Sequence, residues 1–325
     1  MRNIQQKDVR RGEVRKGNEM KEKRTVFLKK VKKQRFLLIM VIPGIIWLLV
    51  FCYLPMYGCQ IAFQNYRITD ALGTSEFVGF KWFIKFFQDN NFWTVMKNTL
   101  GISLLKLAFG FTTPILFALL LNEIRNIRFK RVVQTISYLP HFLSWVILGG
   151  IMITWLSDTG LINDALLALG LIDERTAFLA KPQYFWAISV ISEVWKELGW
   201  GAIIYLAAIA GIDPTQYEAA EIDGANRFQK LWNITLPEIS STIAILFILQ
   251  VGNIMGSNFD QIFVLNNALN DPASNVIDLF VYKQGITGAN YSYATAIGLF
   301  RSVISLLLLV VANKVTEKLE GSALF

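Results

Sequence analysis

Residues 211–237 read GIDPTQYEAAEIDGANRFQKLWNITLP, a polar segment between two long apolar stretches. Asp213 is a favoured N-cap residue, and Pro214 follows at the first helical position. Gln216 stands where a capping box has glutamate or glutamine. These residues predict a helix that begins at Pro214 and runs to residue 222.

Glycine and proline divide the rest of this segment. Gly224 is predicted to end the first helix, because glycine adopts positive φ without a steric penalty. A second short helix is predicted over residues 225–233, and Pro237 is predicted to start the next long helix. The segment as a whole then forms a helix-turn-helix between two apolar spans.

Composition places these spans in a membrane. Of the 325 residues, 54% are hydrophobic and 17% are charged, whereas soluble domains carry about 25% charged residues. The mean hydropathy is +0.42. Stretches of about 20 apolar residues can cross the hydrocarbon core of a bilayer. We predict an all-α integral membrane protein with six transmembrane helices, at residues 36–58, 95–121, 133–156, 184–211, 239–265 and 293–315.

The distribution of Lys and Arg predicts the orientation. If the N-terminus is cytoplasmic, the inner segments carry 22 of these residues and the outer segments carry 6. By the positive-inside rule, both termini and residues 212–237 then lie in the cytoplasm. The tail of residues 1–35 has 14 basic and four acidic residues, which suits contact with anionic lipid headgroups. We expect no nucleic-acid partner, because no aromatic side chains for base stacking are interleaved with these charges.

Residues 59–94 form the longest gap between spans and are rich in Phe and Trp. Aromatic side chains favour the membrane–water interface. This outer segment is therefore predicted to lie along the outer interface as short amphipathic helices. A similar helix is predicted over residues 163–171.

Motifs for catalysis and cofactor binding are missing from the sequence. It has no GxxxxGK[ST] loop for nucleotide phosphates, and its single histidine, His141, excludes a metal site built on a pair of histidines. We therefore expect no enzymatic activity, no bound cofactor and no metal site. His141 is interpreted as a polar residue with satisfied hydrogen bonds near the cytoplasmic interface, and a role in proton transfer is the alternative.

Polar residues inside the fourth and fifth spans are the candidates for a substrate path. In the fifth span they recur at the spacing of one helix face, which should meet other helices or a wet cavity rather than lipid. Asn and Gln side chains both donate and accept hydrogen bonds, as sugar hydroxyls require. The candidates are Asn253, Ser257, Asn258, Asp260 and Gln261 in the fifth span, extended by Gln250, and Glu193 and Trp200 in the fourth, beside Lys196 and Glu197. Hydrogen bonding between helices or subunits is the alternative role of these residues.

An ion pair between the fifth and sixth spans is a further hypothesis. Asp260 and Arg301 are expected at depths that agree within about 5 Å, counted at 1.5 Å per helical residue. An unpaired charge at such a depth costs a few kcal/mol. In the alternative, Arg301 reaches the interface or helix C-terminal carbonyls, and Asp260 binds a sugar hydroxyl or a partner subunit.

The polar segment also carries a family motif. The sequence Glu218-Ala219-Ala220, followed at fixed spacing by Gly224 and by ITLP at residues 234–237, resembles the EAA loop of binding-protein-dependent ABC importer permeases. In that family the loop is the coupling helix, which docks into a cleft on the cytoplasmic ATPase subunit. An amphipathic connecting helix without a binding role is the alternative. The resemblance assigns ATPase coupling to residues of this coupling loop (212–237), namely Tyr217, Glu218, Ala219, Ala220, Asp223, Gly224, Ile234, Leu236 and Pro237.

Other stretches are similar to the carbohydrate-uptake permeases of the maltose type within this family. Residues 195–199 and 205–208 read WKELG and YLAA, as in the run before the coupling loop of those permeases. Residues 138–145, YLPHFLSW, are similar to the oligosaccharide and polysaccharide branch, which includes permeases for aldouronate-like and alginate-like substrates. Residues 270–272 read NDP where many maltose-type members have GGP. This departure concerns the exact substrate more than the family.

The resemblance implies the type I ABC importer permease fold, alternating access and a set of partners. These are a second permease in a heterodimer, two ATPase subunits that bind ATP and Mg, an extracellular solute-binding protein and an oligosaccharide, in a bacterial cytoplasmic membrane. The layout is then the cytoplasmic tail 1–35, the first transmembrane helix 36–58, the outer segment 59–94, a permease core of five helices over 95–315 and the cytoplasmic tail 316–325.

Other functions are compatible with parts of this pattern. An importer permease for a polyamine, phosphate or iron chelate is the alternative within the class. An ion-coupled secondary transporter is the alternative outside it, but such transporters are built from inverted repeats or broken helices, and the sequence has no visible internal repeat. A membrane scaffold without transport would not need polar residues inside its spans.

Overall fold

The computed structural model describes residues 33–71, 73–256 and 258–320, without the side chains of residues 319 and 320. The predicted basic tail, apart from residues 33–35, lies outside these residues, as do Ser257 and residues 321–325. Within them the α-helices are α1 (Arg35–Leu48), α2 (Lys81–Gln88), α3 (Phe92–Glu123), α4 (Ile127–Tyr138), α5 (Trp145–Trp155), α6 (Leu161–Ala168), α7 (Pro182–Ala210), α8 (Pro214–Ile222), α9 (Arg227–Lys230), α10 (Leu236–Glu238), α11 (Ser240–Gly252), α12 (Phe259–Leu265), α13 (Asp271–Ser274), α14 (Ile277–Tyr282) and α15 (Tyr291–Glu320).

The described residues divide into two compact units, one that ends at Gln60 and one that begins at Ile61. In the first unit, α1 continues through a π-helical turn, Leu49–Tyr53, into a 3₁₀ stretch that begins at Leu54. After Arg35, the side chains of α1 are apolar on all sides, and none of them is buried. A helix that is apolar all round is typical of a lipid-facing span.

In the second unit, α3 and α7 pack against each other along their length. Ala118 of α3 and Ala202 of α7 are completely buried in this contact. Gly199 allows α4 to approach α7, since a Cβ at this position would lie 2.3 Å from the carbonyl oxygen of Ser137. This packing fixes the separation between the polar side chains of α3 and α7.

The outer aromatic-rich segment is joined to the last helix by α2. Phe86 is buried, and its ring lies 6.5 Å from that of Tyr293 and 5.5 Å from that of Phe300, measured between centroids. Ile84, Lys85 and Gln88 of the same helix are exposed. The segment therefore contains an amphipathic helix, and the short helix α6, in the predicted second outer loop, overlaps residues 163–171.

Three helices of the described residues are long and apolar enough to cross a membrane, and up to six spans result if each bent pair of helices counts as one. The long ones are Arg35–Phe63, Phe92–Glu123 and Tyr291–Lys318. The third predicted span, 133–156, is not straight, because the chain bends by 98° between Phe142 and Trp145. Pro140 lies in the 3₁₀ turn before this bend, and Ser144 caps α5 after it.

The fifth predicted span, 239–265, is broken, which corrects the prediction of one continuous helix. Helix α11 ends at Gly252 and α12 begins at Phe259. Asn258 stands before α12 with a φ of 56°, a left-handed conformation that asparagine tolerates better than most residues. The long helix also begins at Ser240 rather than at Pro237, after a bend of 60°.

Candidate functional site

The first helix of the coupling loop begins and ends as the sequence predicts. The Asp213 side chain accepts a hydrogen bond of 2.9 Å from the backbone N–H of Thr215, and this bond lowers the pKa of the Asp213 carboxyl. Gln216 does not complete a capping box there, because its side chain donates to Glu238 at 3.0 Å. The capping box is instead formed by Asn226 and Gln229 at the start of α9.

Gly224 makes the turn between the two helices. Its φ is 77°, and the N–H groups of Gly224 and Ala225 donate to the carbonyls of Glu221 and Ala220. These two bonds form a Schellman motif, which satisfies the last carbonyls of α8. The helix over Pro214–Ile222 and its end at Gly224 are therefore confirmed.

Part of the coupling loop is anchored to the protein core. Tyr217, Ile234 and Leu236 pack against the buried cluster that contains Tyr205 and Ile239. The Tyr217 hydroxyl also lies 2.9 Å from the hydroxyl of Thr235, which joins α8 to the returning chain. Among the residues assigned to coupling, Ala220 is half-buried, and the exposed ones are Glu218, Ala219, Asp223, Gly224 and Pro237.

Three large apolar residues of the coupling loop that the motif does not include are exposed. Ile222 is 87% exposed, Phe228 77% and Trp232 66%. The adjacent ion pair of Lys230 with Glu221, at 2.6 Å, joins the two short helices and lowers the pKa of the Glu221 carboxyl. Large apolar residues within an otherwise polar loop were the signal in the sequence that could have indicated this docking surface.

A buried polar network connects α3, α7 and the broken helix. The Lys106 ammonium donates to the Glu193 carboxylate at 2.5 Å and to the side-chain amide oxygen of Gln261 at 2.6 Å. The side-chain amide of Asn258 donates to the same Glu193 carboxylate at 3.0 Å. Three of the predicted path residues, Glu193, Asn258 and Gln261, thus meet around a lysine that the sequence analysis did not single out.

Gln261 extends this network further into α7. Its amide donates to the carbonyl of Ser189 at 2.7 Å and to the hydroxyl of Ser192 at 2.8 Å. Lys106 could have been recognised as a candidate from the sequence, because it is an isolated cation within an apolar span. Such residues are usually paired with an opposite charge or have a function.

A second polar cluster surrounds His141. Its Nδ1 lies 2.7 Å from the Glu197 carboxylate, and its ring stacks on Trp200 with centroids 4.3 Å apart. Lys196 donates to the same Glu197 carboxylate and to the backbone carbonyl of His141. The interpretation of His141 as a hydrogen-bonded polar residue agrees with these contacts, and Lys196 pairs with Glu197.

Cavities adjoin both clusters. A central cavity of about 380 Å³ lies between α3, α7 and α11, with Lys106, Glu193, Gln250 and Asn253 in its wall. A neighbouring cavity of about 310 Å³ shares Lys106, Glu193 and Gln250 and adds Trp200. The predicted stripe on one helix face is wrong, because Asn253 lies at the end of α11 whereas Asn258 and Gln261 belong to the next helix. The cavities nevertheless gather polar side chains from three helices.

The predicted ion pair between Asp260 and Arg301 is not formed. The Arg301 guanidinium instead pairs with Asp278 of α14, and Asp260 is exposed. Asp278 lies in a stretch between the fifth and sixth spans that the sequence predicted to be an outer loop. Its neighbours Ile277 and Leu279 are completely or almost completely buried.

Residues 110–320 match the family model of the binding-protein-dependent transport system inner membrane component. The chain belongs to this family. It is therefore a membrane transport permease and not an enzyme, and the coupling loop and both polar clusters lie within the matched residues or beside them.

Curated relatives of this permease match nearly its whole length. Protein LplB of Bacillus subtilis (strain 168) is 43% identical over 296 residues, which are 91% of this chain and 92% of LplB. The polygalacturonan/rhamnogalacturonan transport system permease protein YteP of the same organism is 42% identical over 299 residues, which are 92% of either chain.

A solved structure resembles this permease closely. It is a chain of a bacterial alginate ABC transporter, crystallised in complex with an alginate pentasaccharide-bound periplasmic protein. The sequences are 40% identical, the TM-score is 0.83, and the match covers 91% of this permease and 99% of that chain. This agreement establishes the type I ABC permease fold for the chain.

Proposed function

We propose that this permease forms half of the translocation path of an ATP-driven ABC importer for oligosaccharides. The observation that carries this proposal is the match, at 40–42% identity over about nine-tenths of the chain, to a polygalacturonan/rhamnogalacturonan transport permease and to a chain of an alginate importer. The polar central cavity supports it, because amide and charged side chains can hydrogen-bond to sugar hydroxyls.

Energy would reach the path through the coupling loop. Its exposed residues, among them Glu218, Asp223 and Gly224, would contact a cytoplasmic ATPase subunit, while Tyr217, Ile234 and Leu236 transmit the movement to the core that they pack against. Ala219, Ala220 and Pro237 complete this interface. ATP and Mg would bind to the two ATPase subunits and not to this chain.

The polar residues divide between two roles in this proposal. Asn253 and Trp200 line the path, since they stand in cavity walls. Glu193, Asn258 and Gln261 hold the broken helix against α3 and α7 through Lys106, and Glu193 also faces the central cavity. Ser257 lies outside the described residues and stays a predicted path residue. Asp260, which is exposed, would contact a partner subunit or a sugar hydroxyl.

The chain would cross the bacterial cytoplasmic membrane six times, with both termini in the cytoplasm. The bent helix pairs support six spans, and the Lys and Arg distribution supports the orientation. A second permease, two ATPase subunits and an extracellular solute-binding protein would complete the importer, as the complex of the alginate transporter with its periplasmic protein suggests.

Reconstitution of the complete importer in proteoliposomes tests this function. Oligosaccharides of galacturonate, of alginate and of neutral sugars are each offered with the solute-binding protein, and at least one of them should stimulate ATP hydrolysis and accumulate inside the vesicles. Stimulation by a polyamine, phosphate or iron chelate, with none by any oligosaccharide, would overturn the proposal. Labelling of single cysteines near residues 33 and 318 from either side of the membrane tests the orientation.

A further inference from the structure

The break between α11 and α12 opens a second cavity with its own charged pair. This break cavity has a volume of about 550 Å³ and is lined by Asn253, Gly256, Asn258, Phe259, Asp278 and Arg301. It shares Asn253 and Gly256 with the central cavity. The two cavities therefore lie next to each other along the same helix break.

The two members of the charged pair are not equally accessible. The Arg301 side chain is 37% exposed and that of Asp278 is 12% exposed. Nη1 of Arg301 donates to Asp278, and this bond uses one of the five N–H donors of a guanidinium. Both residues line the cavity, and the Arg301 guanidinium is the more accessible member of the pair for a ligand there.

Gly256 lies close to the second terminal nitrogen of the guanidinium. A Cβ at Gly256 would lie 3.0 Å from Nη2 of Arg301 and 3.2 Å from the carbonyl oxygen of Asn253. Any side chain at this position would therefore press on the guanidinium from the direction of the helix break. Asn253 and Asn258 stand at the two ends of the break, so amide groups flank the same space.

Binding of a neutral sugar does not require a cation in the wall of the cavity. Asparagine amides alone can form the hydrogen bonds that hydroxyl groups need. A charge inside the membrane costs free energy, and ionisable residues there usually have a function. A guanidinium binds carboxylates through two parallel hydrogen bonds. Partial neutralisation by Asp278 weakens this attraction, and a transport path needs binding that is weak enough for release.

We propose that Arg301 is a specificity-determining residue that binds a carboxylate of an acidic oligosaccharide in the break cavity, and that Asp278 positions its guanidinium. This inference rests on the proposed importer function and names its substrate class. The shared wall of the two cavities would let one substrate extend from Asn253 toward both Lys106 and Arg301.

Binding to the purified complex of both permeases and both ATPase subunits, without the solute-binding protein, tests this role. The probes are tetramers of galacturonate and of alginate, each paired with its uncharged methyl ester. The double variant D278N/R301Q removes both charges together and leaves no unpaired carboxylate. Its affinity for the acidic tetramer should fall about tenfold, as expected for loss of a charge-assisted hydrogen bond, while its affinity for the ester stays unchanged. Arg301→Lys keeps the charge but loses the two parallel hydrogen bonds of a guanidinium. Its affinity for the acidic tetramer should lie between the affinities of wild type and of the double variant.

Other results would contradict this inference. The control D164N/R175Q neutralises an exposed ion pair in the second outer loop and should bind both probes like wild type. If D278N/R301Q loses the same affinity for the acidic tetramer and for its ester, Arg301 has only a structural role. If D278N/R301Q binds the acidic tetramer like wild type, Arg301 does not contact a carboxylate. If wild type binds and imports only neutral oligosaccharides, this inference fails while the proposed function stands. If it imports no oligosaccharide, both fail.

Discussion

The ammonium group of Lys106 lies 2.5 Å from the Glu193 carboxylate, although the two residues are 87 positions apart and belong to different helices. Their side chains are only 9% and 25% exposed. The same ammonium binds Gln261, and the same carboxylate accepts from Asn258. The pair therefore holds α12, which follows the helix break, against the two helices at the centre of the fold.

Removal of Lys106 alone should destabilise the permease strongly. Lys106→Met leaves the Glu193 carboxylate unpaired, and breaking a buried pair from one side costs about 3–5 kcal/mol. We expect a clear fall in Tm of the purified complex in detergent. K106M/E193Q should recover most of the loss, since no charge is then left unpaired. Lys97→Met, an exposed lysine on the same helix, is the control, and a K106M protein as stable as wild type would exclude a structural role for the pair.

Gly224 should be sensitive to residues that avoid positive φ. Gly224→Val forces a β-branched residue to a φ of 77°, which costs about 1–2 kcal/mol, whereas Gly224→Asn tolerates this conformation. The valine variant and the bulkier Gly224→Trp should reach the membrane but hydrolyse ATP with little uptake. The ratio of transported sugar to ATP hydrolysed is the measurement.

A second glycine provides the control for that experiment. Gly170 has a φ of 66° and, like Gly224, has open space around the position of a Cβ. Gly170→Val therefore imposes a similar backbone strain outside the coupling loop. Normal coupling in G170V with lost coupling in G224V supports the assignment, and normal transport by G224W would contradict it.

Local chemistry in the sequence was sufficient for the coupling loop. Asp213, Pro214 and Gly224 determine where α8 begins and ends through contacts within a few residues, so their effects can be predicted without the fold. The helical class follows in the same way from the long apolar stretches.

The helix break and the partner of Arg301 depend on distant contacts. Asn258 adopts its left-handed conformation beside Glu193, which is 65 positions away, and the helical spacing of the polar residues continues through the break. Both Asp260 and Asp278 were possible ion-pair partners of Arg301 in the sequence. Asp278 is the partner because α14 is buried against the core. Sequence spacing cannot show that a predicted outer loop is buried.

Trp232 should contribute to binding of the ATPase subunit. It is exposed beside Phe228 on the coupling loop, and tryptophans in protein interfaces often account for more than 1 kcal/mol of the binding free energy. Trp232→Ala should weaken association of the ATPase subunits with the permease pair about tenfold, measured by titration of the detergent-solubilised proteins. Trp93→Ala removes a tryptophan that is even more exposed but lies at the start of α3; a loss of the same size in that variant would indicate a nonspecific effect.

Cysteine accessibility should separate the residues that line the path from those that hold the helix break. After replacement of the free Cys52 and Cys59 by serine, Asn253→Cys should react rapidly with a membrane-impermeant thiol reagent, because Asn253 is exposed in the wall of the central cavity. Added oligosaccharide should slow this reaction. Asn258→Cys should react more slowly, since position 258 is partly buried whereas position 253 is exposed, and Ala296→Cys, at a completely buried position, sets the background rate. A rate for N253C no higher than that of A296C, in both ATP-bound and nucleotide-free states, would remove Asn253 from the path and leave hydrogen bonding between helices as its role.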